Sequence, residues 1–262
     1  MKPEKPVHFV EWKKISDADF ISTVRKLAEW GVRNIVAHPQ WGMRDMEEPG
    51  YLHSVMEELK RAGLAAPACH AYWGASHDIC HCTAADITER IVEEHAVFLK
   101  KLSETEVRTY AMHIGMEDHG KTPWDCIRRA VDRLLPVAEE CRIALALENG
   151  HENLETQREL ADFAASYRHP FLGICFDTGH AHCYGDRDWK KSLEILGENT
   201  VTCHMHDNYG TFDDHNPPGA GTLNWQELCD NLKRLPHLLH AETESGDWGE
   251  ESWKQFCKVW NG

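Results

Sequence analysis

Four short strings close runs of β-type residues: Leu147-Glu148-Asn149, Phe176-Asp177-Thr178-Gly179-His180, His204-Met205-His206-Asp207-Asn208 and Ala241-Glu242-Thr243-Glu244. Glu148, Asp177, His204 and Glu242 follow one another at intervals of 29, 27 and 38 residues, about one strand plus one helix each. Two glutamates, an aspartate and a histidine form a donor set suited to a hard or borderline divalent cation. An unpaired carboxylate buried at a strand end carries a large desolvation penalty, and a shared cation removes it.

The same kind of residue closes two earlier runs, at His70 and at His113. His180 follows Asp177 by one helical turn. His204 and His206 share a strand face because strand side chains alternate with period two, so either can face the same cavity and the sequence does not rank them. After the seventh run comes Asp213-Asp214-His215-Asn216-Pro217-Pro218-Gly219-Ala220-Gly221-Thr222. Its Pro/Gly path exposes backbone N–H groups that can hold hydroxyls or an oxyanion, which predicts a lid or wall carrying Asp213 and His215. Trp41 and Trp73 are expected in early loops, where an indole can stack on a ligand and exclude water.

The elements that must position these groups alternate along the chain. Strand-like runs are expected near 6–11, 33–38, 65–71, 107–114, 142–148, 171–177, 200–206 and 237–243. Between them the apolar spacing becomes helical. Phe20, Val24, Leu27 and Ala28 form one stripe, Ile87, Ile91, His95, Phe98, Leu99 and Leu102 a second, and Ile127, Val131, Leu134, Leu135 and Ala138 a third. Asp17, Thr83 and Thr122 are placed to cap helices, Pro123 suits a first helical turn, and Gly31 and Gly63 sit where helices should stop. Eight β-then-α units without a break in composition predict one parallel (β/α)8 TIM barrel over residues 1–262. A doubly wound open sheet would place a Gly-rich turn after its first strand, and none follows Val10. Polar residues collect instead at many strand ends, as a barrel mouth requires.

The totals narrow the partners. The chain has 28 basic and 43 acidic side chains and a formal charge of −15. That argues against an unassisted nucleic-acid or anionic-membrane surface. The first twelve residues lack the apolar core of a secretory signal, and no apolar run approaches the roughly 20 residues of a bilayer span. A cytoplasmic protein is expected, with reduced core cysteines among its ten and with a homo-oligomer open. Cys80-His81-Cys82 lacks a second pair at zinc-site spacing. Arg44, Lys121 and Arg187 are the basic residues near the expected rim, and they form no phosphate motif.

The glutamate, aspartate and histidine strings, together with the Asp213-x-His215 to Gly219-x-Gly221 stretch and Glu242, resemble the signature strings of the xylose isomerase-like barrel superfamily of sugar and sugar phosphate isomerases and epimerases. The resemblance covers nearly the whole chain. It implies metal ligation by Glu148, Asp177, His204 and Glu242. His204 is preferred because it pairs with Asp207 in the His-x-x-Asp register, and His180 and His206 become substrate contacts. The type IV apurinic endonucleases belong to the same superfamily. Their larger set has counterparts at His70, His113, Glu148, Asp177, His180, His204, Asp213, His215 and Glu242, enough for three zinc ions. Against a nuclease, the loops Gln40 to Gly50 and Trp73 to Thr83 carry one Arg and no Lys.

The expected chemistry is proton transfer next to a carbonyl of a small carbohydrate, through an enediolate, with Glu148 and Glu242 as the opposed acid/base pair. His70, His113, His180, His206, Asp213, His215, Trp41 and Trp73 would bind substrate. One divalent ion is expected. The imidazoles favour Mn2+ or Zn2+, with Mg2+ or Co2+ as alternatives. A polyol dehydratase, an abasic-site nuclease or a non-catalytic sugar-binding barrel would use the same rim differently.

Overall fold

Eight short parallel strands close on one another in chain order, β1-β2-β3-β4-β5-β6-β7-β8, and β8 returns to pair with β1. The computed structural model describes residues 5–9, 17–115, 122–244 and 249–262. Val10, Lys121 and the Asp17 side chain, each singled out by the sequence, lie outside the described residues. The strands are β1 Val7–His8, β2 Asn34–Ala37, β3 Ala65–His70, β4 Thr109–His113, β5 Ala144–Glu148, β6 Leu172–Asp177, β7 Thr200–Met205 and β8 Glu242–Thr243. The six strands β2–β7 fall inside their expected windows almost to the residue, and β1 covers two residues of its window. The eighth is also short. The apolar run from 237 predicts a longer strand, but the ladder begins only at Glu242.

The helices are α1 Asp17–Glu29, α2 Pro39–Glu47, α3 Tyr51–Arg61, α4 Ala85–Leu102, α5 Trp124–Cys141, α6 Leu154–Tyr167, α7 Thr178–Cys183, α8 Trp189–Leu196, α9 Trp225–Leu232 and α10 Glu250–Asn261. Gly31 and Gly63 take positive φ just beyond α1 and α3, the left-handed stop that glycine adopts without steric cost. The cap expected at Thr83 falls one residue later, on Ala84, which offers no side-chain acceptor. Pro123 is the residue before α5 and not its first helical residue. The predicted stripes do face the barrel: Ile91, Phe98, Leu99 and Leu102 of α4 and Ile127, Val131, Leu134 and Ala138 of α5 are buried. Each such aliphatic side chain contributes about 1.5–3 kcal/mol.

Period two divides each strand. Ile35, Cys69, Tyr110, Met112, Leu145, Leu147, Ile174, Phe176, Cys203 and Met205 belong to the main core shared with the helices. The intervening residues point inward and are small. Val7, Val36 and Ala68 pack in one group, and Ala111, Ala146 and Cys175 in another. Two residues further along each of these strands stand Phe9, His38, His70, His113, Glu148 and Asp177. Small residues inside and large polar ones at the strand ends therefore build the mouth of the barrel. Nine of the ten cysteines are buried and all are unpaired. No helix among the described residues is long and apolar enough to cross a membrane.

Candidate active site at the barrel mouth

Glu148 is 2% exposed at the end of β5, directly opposite His113 of β4 in the ladder. Its Oε2 lies 3.6 Å from His113 Nε2 and 3.2 Å from His204 Nδ1, and its Oε1 lies 3.6 Å from His180 Nδ1. His204 Nδ1 also meets Glu244 Oε2 at 3.1 Å. On the other ring edge, His204 Nε2 lies 3.6 Å from Glu242 Oε2. Glu242 and Glu244 share the inward face of β8, but at different depths. The Thr202 hydroxyl donates to Glu242 Oε1 below His204, whereas Glu244 reaches up to His215 Nε2 at 4.0 Å. Glu244, two residues on, thus stands beside Glu148 at His204 Nδ1, while Glu242 meets the other edge of the ring with an Oε2 that is also buried without a hydrogen-bond partner.

A second group adjoins the first. Asp177 caps α7, its Oδ1 accepting from His180 N at 2.6 Å. Both its oxygens lie 3.1 Å from His206 Nε2. Gly179 makes that approach possible, since a Cβ there would stand 1.8 Å from the His206 ring. His180 donates from Nδ1 to the Asn149 carbonyl at 2.8 Å, and its Nε2 meets Asp213 Oδ2 at 3.2 Å. His215, at φ 50°, stacks on His206 with centroids 4.0 Å apart and planes 4° apart. The loop after β7 thus carries Asp213 and His215 over the strand ends.

Electrostatics divides these groups. Burial penalises charge on His204, but Cys175, Glu244 and Glu148 outweigh it and hold the imidazole well above its usual pKa. His180 is raised well above its usual value in the same way, by Asp177, Asp213 and Glu148 against burial. His206 is raised against burial by Asp177. Glu148 and Glu244 are lowered despite burial, chiefly by His204. His70 goes the other way, lowered by burial and by its neighbours His113 and His204.

Of the expected substrate contacts, His70 stacks on His204 at 5.4 Å and meets His113 edge-on at 5.1 Å. Trp73 is 36% exposed and packs edge-on to His70 at 5.0 Å, on the rim. Trp41 is not on the rim. It is 4% exposed in the core and sits edge-on to Phe20, because the first turn of α2 turns it inward. Besides Glu244, the sequence reading missed His38, His151 and Tyr184. His38 is inward and edge-on to Trp73. His151 lies 4.1 Å from the Tyr184 ring and 6.0 Å from His180. Period two from Val36 would have found His38; nothing local marks the other two.

Several donor sets could hold a cation. His70, His204 and Glu244 bring donor atoms within 4.8 Å of one another, as do His70, His113 and Glu148, Asp177, His180 and His206, and His206, Asp213 and His215. His204 Nδ1, both Glu148 oxygens, Glu244 Oε2 and Asp213 Oδ1 are buried without a hydrogen-bond partner. Buried polar atoms are rarely left so. Those of Glu148 and Glu244 converge on His204 Nδ1, an arrangement that a divalent ion would fit.

Among curated proteins, an uncharacterized protein of Methanocaldococcus jannaschii is 30% identical over 111 residues, 40% of this chain and 38% of its own length. An uncharacterized protein of Sinorhizobium fredii is 25% identical over 236 residues, 82% of this chain and 67% of its own. Three solved structures share the fold over nearly all of both chains. A D-tagatose 3-epimerase-like protein has a TM-score of 0.74 at 18% identity, covering 100% of this chain and 98% of that one. The 3-keto-D-glucoside 4-epimerase YcjR from E. coli has 0.73 at 16%, covering 98% and 97%. The IOLI protein with a binding zinc atom has 0.72 at 15%, covering 100% and 95%. A family model described as a xylose isomerase-like TIM barrel matches residues 24–261. The closed eight-stranded barrel and the extent of that match show that this chain belongs to the xylose isomerase-like TIM barrel family.

Proposed function

We propose that the protein is a divalent-metal-dependent isomerase or epimerase of a sugar or sugar phosphate, acting by proton transfer beside a carbonyl. The observation that carries this reading is the pair of carboxylates, Glu148 and Glu244, held on either side of His204 Nδ1 with oxygens that lack hydrogen-bond partners. Family membership supports it, as do the epimerase names of the structural neighbours. Glu148, Asp177, His204 and Glu244 would hold the ion. When bound, the ion supplies Lewis-acid polarisation of the carbonyl and offsets charge as the enediolate forms. Mn2+ and Zn2+ suit a set of three carboxylates and one imidazole, and the zinc in the IOLI structure supports the second.

The chain's own groups would then divide the work. The lowered pKa values of Glu148 and Glu244 leave each a carboxylate at neutral pH, able to accept the proton from the carbon beside the carbonyl. In isomerisation the same carboxyl would return that proton to the neighbouring carbon. In epimerisation the other glutamate would first take a proton from solvent and then deliver it to the opposite face. His180, bonded to the Asn149 carbonyl and to Asp213, would orient the Asp213 carboxylate towards substrate hydroxyls. Trp73 covers one side of the mouth and excludes water.

The test is incubation with D-fructose and D-tagatose in D2O with Mn2+ or Zn2+. Deuterium at the carbon beside the carbonyl is the expected result, and formation of a dehydrated product would point to the dehydratase. Glu148→Gln and Glu244→Gln should each slow exchange by about 10²–10⁴-fold, the usual contribution of general acid–base groups. If both variants keep full turnover with metal bound, the scheme is wrong. The sets around His70 and around His215 favour a second reading, phosphodiester cleavage with three ions. Three metals per chain together with nicking of abasic duplex DNA would replace the first reading with the second.

A further inference from the structure

We propose that Asp207 is the positioning residue of this site: its buried carboxylate fixes the loop after β7, so that Asp213 and His215 stand over the strand ends. Asp207 is fully buried, and its carboxylate bonds to backbone N–H groups and an indole. Its Oδ1 accepts from Asn208 N at 2.9 Å and from Leu223 N at 3.2 Å. Its Oδ2 accepts from Gly219 N and Gly221 N, each at 3.0 Å, and from Trp225 Nε1 at 2.8 Å. Its backbone N–H donates to the Asn216 carbonyl at 2.7 Å and its carbonyl accepts from Asn216 N at 2.9 Å. One residue thereby ties the end of β7, the Gly219–Leu223 turn and the start of α9 together.

The backbone pair with Asn216 closes residues 208–215 into a loop at its base. Across that loop Asp213 meets His180, and His215 stacks on His206, which holds Asp177. The order of the loop therefore reaches the proposed ligand Asp177 through two imidazoles. Only a carboxylate can fill the position. Each oxygen accepts at least two N–H groups, so an amide in either orientation would aim its NH2 at donors. Gly221 is fixed by the same geometry: a Cβ there would lie 2.3 Å from both the Asn208 carbonyl oxygen and Asp207 Oδ1.

The inference rests on the proposed place of Asp213 and His215 at the site, and its test does not need the substrate. In the full chain, Asp207→Asn, Gly221→Ala and Trp225→Phe are compared with wild type by amide exchange of residues 208–223 and by Co2+ titration followed in the visible spectrum. Asp207→Asn should speed exchange in that segment by about tenfold or more while exchange in β4–β6 holds. Its Co2+ affinity should fall by about 10–100-fold with a changed spectrum, the usual loss when an orienting partner of a metal ligand is removed. Trp225→Phe, which removes one of five donors, should do the same to a smaller degree. If Asp207→Asn does not fold, Gly221→Ala and Trp225→Phe carry both readouts. Unchanged exchange overturns the proposal. Faster exchange with an unaltered Co2+ affinity and spectrum also overturns it, because Asp207 would then serve the loop alone. A wild type inactive on every ketose would defeat the proposed activity and leave these measurements intact.

Discussion

The mouth of the barrel has two unlike halves. On the side of β1–β4 burial lowers His70 at the mouth, and it also pushes down to about 4 two histidines behind the mouth: His8, which packs on Trp253, and His95 of α4, bonded to Tyr110. Strands β5–β8 bring Glu148, Asp177, Glu242 and Glu244, and beside them His180, His204 and His206 are raised. Burial is nearly equal on the two sides, so the carboxylates make the difference. On the proposed reading the second half would hold the cation and move protons, and the first, with His70 and Trp73, would lie against the substrate.

The largest effect should come from exchanging single groups across this divide. Glu148→Gln should cost about 10²–10⁴-fold in proton exchange and His70→Asn less than about tenfold, measured on the same ketose. Equal losses would erase the distinction.

The pH dependence of metal-free stability sharpens it further. Below pH 6.5 the unfolded chain protonates His8 and His95 while the native state does not. Stability should therefore fall from pH 6.5 towards 4, by up to about 3 kcal/mol for each buried histidine. Above 6.5 the native state keeps protons on His180, His204 and His206 that the unfolded chain has lost. Stability should then fall again as pH rises through their raised values. Urea midpoints across pH 4–9 should show a maximum near 6.5, and a steady rise through that point would break the comparison.

Metal should act on the second half alone. At a free concentration 100 times its dissociation constant, Zn2+ should add about 2.7 kcal/mol of stability. Asp177→Asn should abolish that gain in a thermal melt, and His38→Ala should leave it. The smallest effect belongs to the wall. Trp73→Ala should raise KM by about tenfold or less with kcat held, the mark of a group that binds substrate and transition state alike.

Much of this was legible in the sequence. Inward alternation and eight repeated units gave the barrel, because period two and period 3.6 are written directly in the apolar pattern. The strings around Glu148, Asp177 and His204 marked strand ends for the same reason. Depth was not legible. Glu242 and Glu244 lie two residues apart, and only the register of β8 against β7, which sets Glu242 opposite His204, leaves Glu244 to reach His204 Nδ1. Trp41 misled because a tryptophan just after a strand end reads as loop, whereas α2 begins there and buries it. His151 and Tyr184 meet across two loops, and no local spacing reports such a meeting.

The closing seam of the barrel has a consequence for assembly. β1 and β8 are two residues long, while β3, β6 and β7 have six. The last carboxylates of the site, Glu242 and Glu244, stand on that thin join. A barrel open at the seam would still hold Glu148, Asp177 and His204 on well-paired strands, but it would lack its fourth donor. A cation gripping both sides would act as a clasp, making ring closure and completion of the site the same event.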